Sequence, residues 1–191
     1  NMLFSLYNKF HDKFNTLILV AHNAGYDFRF LQQYIILDRL FERGHNLLEA
    51  RARFYVKGKY INLVFKDSYA IITMPLSKFG KCFELPQSKE ILPYGMYTTA
   101  NIKQKQIKLA VCKPYCDTQV RCNHLDRVVS ESDCEEFFMQ FIKNASEWGC
   151  LDDGLVDILE YSKNYCQRDV EVLQQGYETF GDMLFDSCEM H

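Results

Sequence analysis

Asp27 and Asp169 are the two carboxylates whose surroundings in this 191-residue chain suggest chemistry. Asp27 lies within residues 17–31, LILVAHNAGYDFRFL, where a short apolar run reads as a buried strand. The polar knot of His22, Asn23, Ala24, Gly25, Tyr26 and Asp27 follows, with one glycine to bend the backbone, and a helical pattern opens at Phe28. A helix N-terminus reached through a tight turn presents unpaired N–H groups and a dipole that favours anions or metal-bound carboxylates. The same stretch also reads as a plain connection in which Asp27 caps the helix. Tyr165 and Asp169 stand four apart in a second helical pattern, so they share one face. A carboxylate on a mostly apolar face is costly unless it pairs or binds a metal, and Arg168 is the other available partner. Two Asp from separate elements can hold divalent ions for in-line attack of water on a phosphodiester. The Tyr165 phenol could orient that water, although an unperturbed phenol is a poor general base near neutral pH.

The elements that would carry these residues follow from periodicity. Leu3, Leu6, Tyr7, Phe10 and Phe14 predict an amphipathic helix over 2–14, and 16–20 is the first strand. Residues 27–41 read as a helix with Phe28, Leu31, Ile35 and Leu40 near one face, ended by Arg43, Gly44, His45 and Asn46. Residues 51–56 and 60–65 form a hairpin with Gly58 in its turn. After Pro75 a short helix covers 76–83, and the loop LPQSKEILPYGMYT exposes Lys89 and the turn at Pro93, Tyr94 and Gly95. A lysine run, Lys103, Lys105, Lys108 and Lys113, precedes an acidic stretch with Asp126, Glu131, Asp133, Glu135 and Glu136. Residues 133–148 are helical and stop at Gly149; Asp152, Asp153 and Gly154 form a turn; 156–184 is a long helix with a break expected near Asn164.

Composition narrows the classes. At 48% hydrophobic residues, with 15 Phe and 12 Tyr, the chain is not disordered. A formal charge of -3 does not advertise a nucleic-acid coat, and it does not exclude nuclease chemistry, because metal-binding carboxylates lower the net charge at such a site. No apolar run is long enough to cross a membrane, no signal-peptide pattern is present, and the eight Cys form no disulfide framework. A reducing, intracellular setting is the expectation. Cys112, Cys116, Cys122 and His124 could bind zinc tetrahedrally. Their spacing fits no common Cys-x2-Cys knuckle, so ordinary loop thiols are expected. The lysine run could touch DNA or be simply solvated.

Taken in order, the motifs resemble the 3′–5′ proofreading exonuclease region of protein-primed family B DNA polymerases of phages, linear plasmids and viral elements. That family's second exonuclease motif reads His-Asn, two residues, aromatic-Asp, matched by His22, Asn23, Tyr26 and Asp27. Its third, Tyr, three residues, Asp, is matched by Tyr165 and Asp169. The Asp-Ser segment fits Asp67 and Ser68, and Lys89 to Leu92 fits its Lys, two residues, hydrophobic motif. The resemblance covers most of the chain, with 103–148 matching only loosely.

The resemblance implies an α/β, ribonuclease H-like fold, a mixed sheet flanked by helices. Asp27 and Asp169 would ligate Mg2+ or Mn2+ in a two-metal site, Tyr165 would position water, and Lys89 would neutralise charge at the scissile phosphate. His22, Asn23, Tyr26, Ser68 and Lys89 would contact the single-stranded DNA 3′ end. The family's opening Asp-x-Glu does not occur before residue 27. Residues 1–191 are therefore read as a partial exonuclease domain lacking its first strand, with 101–150 a subfamily-variable insertion and the polymerase portion lying beyond His191. Such a piece would be inactive alone. Its parent would engage primer-template DNA and a terminal priming protein, with no membrane partner. Two other readings stand: a catalytically incomplete single-stranded-DNA-binding or scaffolding module, and a free-standing ribonuclease H-like nuclease.

Overall fold

Ile61, Leu63 and Phe65 alternate with more exposed residues along one strand, which turns a single apolar face inward and fixes where the first core forms. The computed structural model describes residues 2–44, 46–124 and 127–188. It divides into two compact units, Asn1–Phe79 with Gln175–His191, and Gly80–Gln174.

In the first unit the elements are α1 (Met2–Phe10), β1 (Thr16–Ala21), α2 (Gly25–Leu31), β2 (Ile36–Arg43), β3 (Asn46–Val56) and β4 (Lys59–Asp67). The sheet order is β1-β4-β3-β2. β1 runs parallel to β4, whereas β3 is antiparallel to both β4 and β2, so the sheet is mixed. Ala50, Ala52, Phe54 and Val56 of β3 join Ile61, Leu63 and Phe65 of β4 on the inward face. Leu3 and Tyr7 of α1 and Phe28 of α2 complete that core. The β3–β4 turn works because Lys57 and Gly58 both take positive φ, 47° and 82°, the twist that a two-residue hairpin needs.

The helix expected over 27–41 is shorter. α2 stops at Leu31, a single 3₁₀ turn covers Gln32–Tyr34, and β2 follows. Ile35 and Ile36 are β-branched and crowd a helical turn, while β3 offers a free ladder that Ile36 and Leu37 enter opposite Arg53 and Ala52. The expected helix stop at 43–46 is instead the β2–β3 turn, whose His45 lies outside the described residues, as does Asp126 of the acidic stretch. α1 also ends early, at Phe10 rather than Phe14.

In the second unit, α3 (Phe79–Cys82) leads from the first unit into the loop with Lys89. After it come α4 (Thr99–Gln104), β5 (Gln106–Lys108), α5 (Leu109–Asn123), α6 (Glu131–Glu147), β6 (Leu151–Asp152), β7 (Leu155–Asp157) and α7 (Ile158–Ser187). A three-stranded sheet, β5-β7-β6, closes one side of a core built from Cys112, Cys116, Phe141, Val156, Ile158 and Tyr161. α6 starts two residues earlier than expected because Ser130 and Asp133 form a reciprocal capping box. It ends where Gly149 takes φ 66°. The last turns of α7, from Gln175, belong to the first unit. No break occurs near Asn164, whose amide donates to the Glu160 carbonyl at 2.9 Å within the helix.

Two further expectations are corrected. Cys112 and Cys116 are not loop thiols: they sit one turn apart on α5, fully buried, whereas Cys122 is exposed. Pro93 is buried, although Tyr94 and Gly95 beside it are exposed as expected.

Candidate functional site

The first constellation lies where β1 meets α2. β4 ends at Asp67, whose carboxylate is 4% exposed. Its Oδ1 accepts the backbone N–H groups of Asn23 at 2.8 Å and Tyr69 at 2.9 Å, and its Oδ2 accepts that of Ala24 at 3.0 Å. Three donors on one anion clamp the turn leading into α2. The N-cap of α2 is Ala24, with no side-chain cap, so Asp27 does not cap the helix. Asp27 sits in the first turn and is exposed. Partial desolvation holds its carboxyl above the ordinary aspartate value; its own backbone N–H opposes that shift, and the Asp67 charge adds to it.

His22 is held from both sides. Its Nε2–H donates to the Met74 carbonyl at 2.8 Å, which leaves Nδ1 to pair with the Ser68 hydroxyl at 2.9 Å. The Ser68 hydroxyl also lies 3.1 Å from the Ala21 carbonyl. Tyr69 and Phe79 close edge-on against the imidazole. Ser68 is 1% exposed, with its hydroxyl between the His22 imidazole and the Ala21 carbonyl. Asn23 is exposed and takes φ 60°, a left-handed conformation that Asn tolerates. Tyr26 is exposed and meets Phe30 edge-on at 5.0 Å.

The second constellation lies in the second unit. Lys89 Nζ is 3.1 Å from Oδ2 of Asp169 and 5.7 Å from the Tyr165 ring centroid. Tyr165 shares its hydroxyl with that of Tyr94 at 3.3 Å. Lys89 is therefore brought from a distant loop to Tyr165 and Asp169, which lie one turn apart on α7. Arg168, the alternative partner for Asp169, turns to Glu171 instead. Lys89 was expected to be exposed; it is partly buried, because the ion pair draws it against α7. Asp169 Oδ1 is buried and, among the described residues, has no hydrogen-bond partner. The Lys89 ammonium compensates the charge of this carboxylate, and Oδ1 keeps lone pairs that a further donor or cation could use. Burial, the Tyr94 hydrogen bond and the Asp169 charge all push the Tyr165 phenol upward, so it stays protonated.

The loop carrying Lys89 is fixed at its next two residues. Asn144 of α6, 2% exposed, donates to the Glu90 carboxylate at 2.9 Å, and Gln140 donates to Asn144 at 2.7 Å. The buried Tyr161 hydroxyl donates to the Ile91 carbonyl at 3.0 Å. Asp67, Asn144 and Tyr161 escaped sequence reasoning as positioning residues. Asn144 gave one signal: a polar residue at apolar-face spacing from Phe141. Asp67 gave another, an acid ending an alternating strand.

Residues 13–191 match the family of type B DNA polymerases described as organellar and viral. The chain belongs to that family. A DNA polymerase of Kluyveromyces lactis is 25% identical over 181 residues, which cover 90% of this chain. The chain spans only 16% of the length of that relative. No solved structure matches the chain. Among the described residues, no group of three or more His, Cys, Asp or Glu side chains could hold a metal ion. No helix among them is long and apolar enough to cross a membrane.

Proposed function

We propose that this chain is the 3′–5′ proofreading exonuclease region of a protein-primed type B DNA polymerase, with a ribonuclease H-like fold that lacks its leading strand. The observation that carries the reading is the meeting of Lys89, Tyr165 and Asp169 in one place. Membership of the type B polymerase family supports it. β1 is an outer strand of the sheet, and its free edge is where a leading strand bearing Asp-x-Glu would add.

In this reading Asp27 and Asp169 are carboxylate ligands for Mg2+ or Mn2+. The Asp169 oxygen fits that role; the described residues alone do not complete a ligand set. Such ions would supply an activated water and charge stabilisation for phosphodiester hydrolysis. Tyr165, kept protonated, orients water by hydrogen bonding and does not act as a base. Lys89 stands ready to exchange its Asp169 contact for a phosphate oxygen. Asn23 and Tyr26 face a single-stranded 3′ end, Tyr26 by stacking, and His22 with Ser68 behind it shapes that turn. Residues 101–150 are a subfamily-variable insertion, and they include the α6 that braces the Lys89 loop. Primer-template DNA and a terminal priming protein are partners of the longer polymerase.

The test compares two proteins on single-stranded DNA with Mn2+. The 191-residue chain should degrade it little. A longer reading frame containing an upstream Asp-x-Glu should degrade it and lose that activity with Asp27→Asn or Asp169→Asn. An upstream sequence without Asp-x-Glu would favour a single-stranded-DNA-binding module.

A further inference from the structure

The sheet of the first unit has two faces, and only one is covered. α2 and the core lie on the side of Ala52, Leu63 and Phe65. The opposite side presents Ile18 and Val20 of β1, Tyr60 of β4, Tyr55 of β3 and Phe41 of β2, each between 37% and 62% exposed. The strands that carry it are relatively basic: residues 36–67, counted over both faces and the turns, hold seven Lys or Arg and four Asp or Glu, in a chain whose formal charge is -3.

Two arginines on this face stand directly opposite each other. Arg39 of β2 and Arg51 of β3 are register partners, an arrangement of like charges that destabilises a sheet pair. Arg51 is relieved by Glu49 at 2.7 Å, and Asp38 is engaged by Arg53 at 2.7 Å. Among the described residues Arg39 has no ion-pair partner. The two arginines border a depression of about 330 Å³ whose lining also includes Thr16, Asn62, Val64 and Asp38, the carboxylate that Arg53 engages. Four residues further along β3, about 13 Å at strand rise, Tyr55 faces Tyr60 with ring centroids 4.8 Å apart. The Arg53 guanidinium lies 5.3 Å from the Tyr60 centroid. One guanidinium without an ion-pair partner among the described residues, Arg39, beside Arg51 and followed along β3 by exposed aromatic faces, has the chemistry of a single-stranded nucleic-acid platform.

We propose that this open face binds single-stranded DNA, with a backbone phosphate at Arg39 and Arg51 and bases stacked on Tyr55 and Tyr60. The surface is separate from Asn23, Tyr26 and Asp27, which belong to the covered side, and it does not require the exonuclease reading to hold.

Fluorescence anisotropy of a labelled oligo(dT) with the 191-residue chain tests it across a salt series. Paired Tyr55→Ala and Tyr60→Ala should weaken binding at least tenfold, whereas paired Tyr→Phe, which keeps the stacking faces, should retain it. Arg39→Gln should weaken binding and lower the slope of log affinity against log salt by about one. Circular dichroism of each variant should match the parent. Unchanged affinity in the folded Tyr→Ala and Arg39→Gln variants overturns the proposal. Equal competition by inorganic polyphosphate also overturns it, since that polyanion has no bases to stack. So does burial of Tyr55 and Tyr60 from chemical modification in a longer form of the chain, which would show the face to be internal packing. Failure of Asp27→Asn to abolish nuclease activity would count against the exonuclease reading alone.

Discussion

Lys89 Nζ lies 3.1 Å from one oxygen of Asp169, while the other oxygen of the same carboxylate is buried and accepts no hydrogen bond of standard geometry among the described residues. Removing the lysine should therefore hurt more than removing both groups. Lys89→Met leaves the Asp169 charge uncompensated and is expected to cost about 1–3 kcal/mol, whereas Lys89→Met with Asp169→Asn should recover much of that loss. Mn2+ should raise the melting temperature of Lys89→Met more than that of the parent, because the ion and the ammonium compete for one carboxylate. Equal Mn2+ shifts in the two proteins would argue that Asp169 takes no cation.

Asp67→Asn tests the clamp at the entry to α2. Asn offers one oxygen where the carboxylate accepts three N–H groups, and its NH2 would face a donor. The expected destabilisation is about 2–3 kcal/mol by denaturant titration. Loss of the Asp67 charge should also move the Asp27 carboxyl down toward its ordinary value, readable by NMR titration. For Asp27 the sign of the linkage is fixed by its raised value. The folded state holds the proton more tightly, so its contribution to stability falls as pH rises through the window above the ordinary aspartate value.

Much of this was legible because local patterns agreed with the global fold. The alternation in β3 and β4, the glycine turn between them and the spacing of Tyr165 and Asp169 each have a single good solution. β2 was not legible: Phe28, Leu31, Ile35 and Leu40 satisfy helical spacing, and only the ladder offered by β3 decides against it. Lys89 was legible as a motif but not as an ion pair, since that depends on a loop pinned from α6 by Asn144. The open sheet face was illegible because exposed strand residues look alike until strand order is known.

Gly176 of α7 sets two effects against each other. At an exposed helix position Gly→Ala would stabilise by about 1 kcal/mol. Here a Cβ would overlap the Phe79 ring, reaching 3.0 Å from Cε2 and closer still to Cδ2. Phe79 is fully buried and lies 5.0 Å from the His22 ring, so it cannot swing away without disturbing His22. Overpacking of this kind costs about 1–3 kcal/mol and should win. The variant should melt lower than the parent; a higher melting temperature would show that the ring has room to move.

Cys112 and Cys116 should contribute to the alkaline response of the second unit. Burial pushes both thiols up to about 12 from an ordinary value of 9.0. Between those values the unfolded chain gives up thiol protons that the folded unit keeps, so the folded state binds more protons and stability falls as pH rises. Below pH 9 these groups contribute no slope. Burial raises Tyr97 and Tyr161 in the same direction, which steepens the decline further up the scale. Replacing both cysteines with alanine should flatten the part of the decline that begins near pH 9, at a cost in stability at neutral pH. Thiol labelling gives an independent check. A rise of about three units lowers the thiolate fraction about a thousandfold, so in the native protein at pH 8 the exposed Cys82 and Cys122 should react while Cys112 and Cys116 stay protected. Rapid native-state labelling of Cys112 would mean that α5 opens on the timescale of the reagent and that its thiols are not part of a closed core.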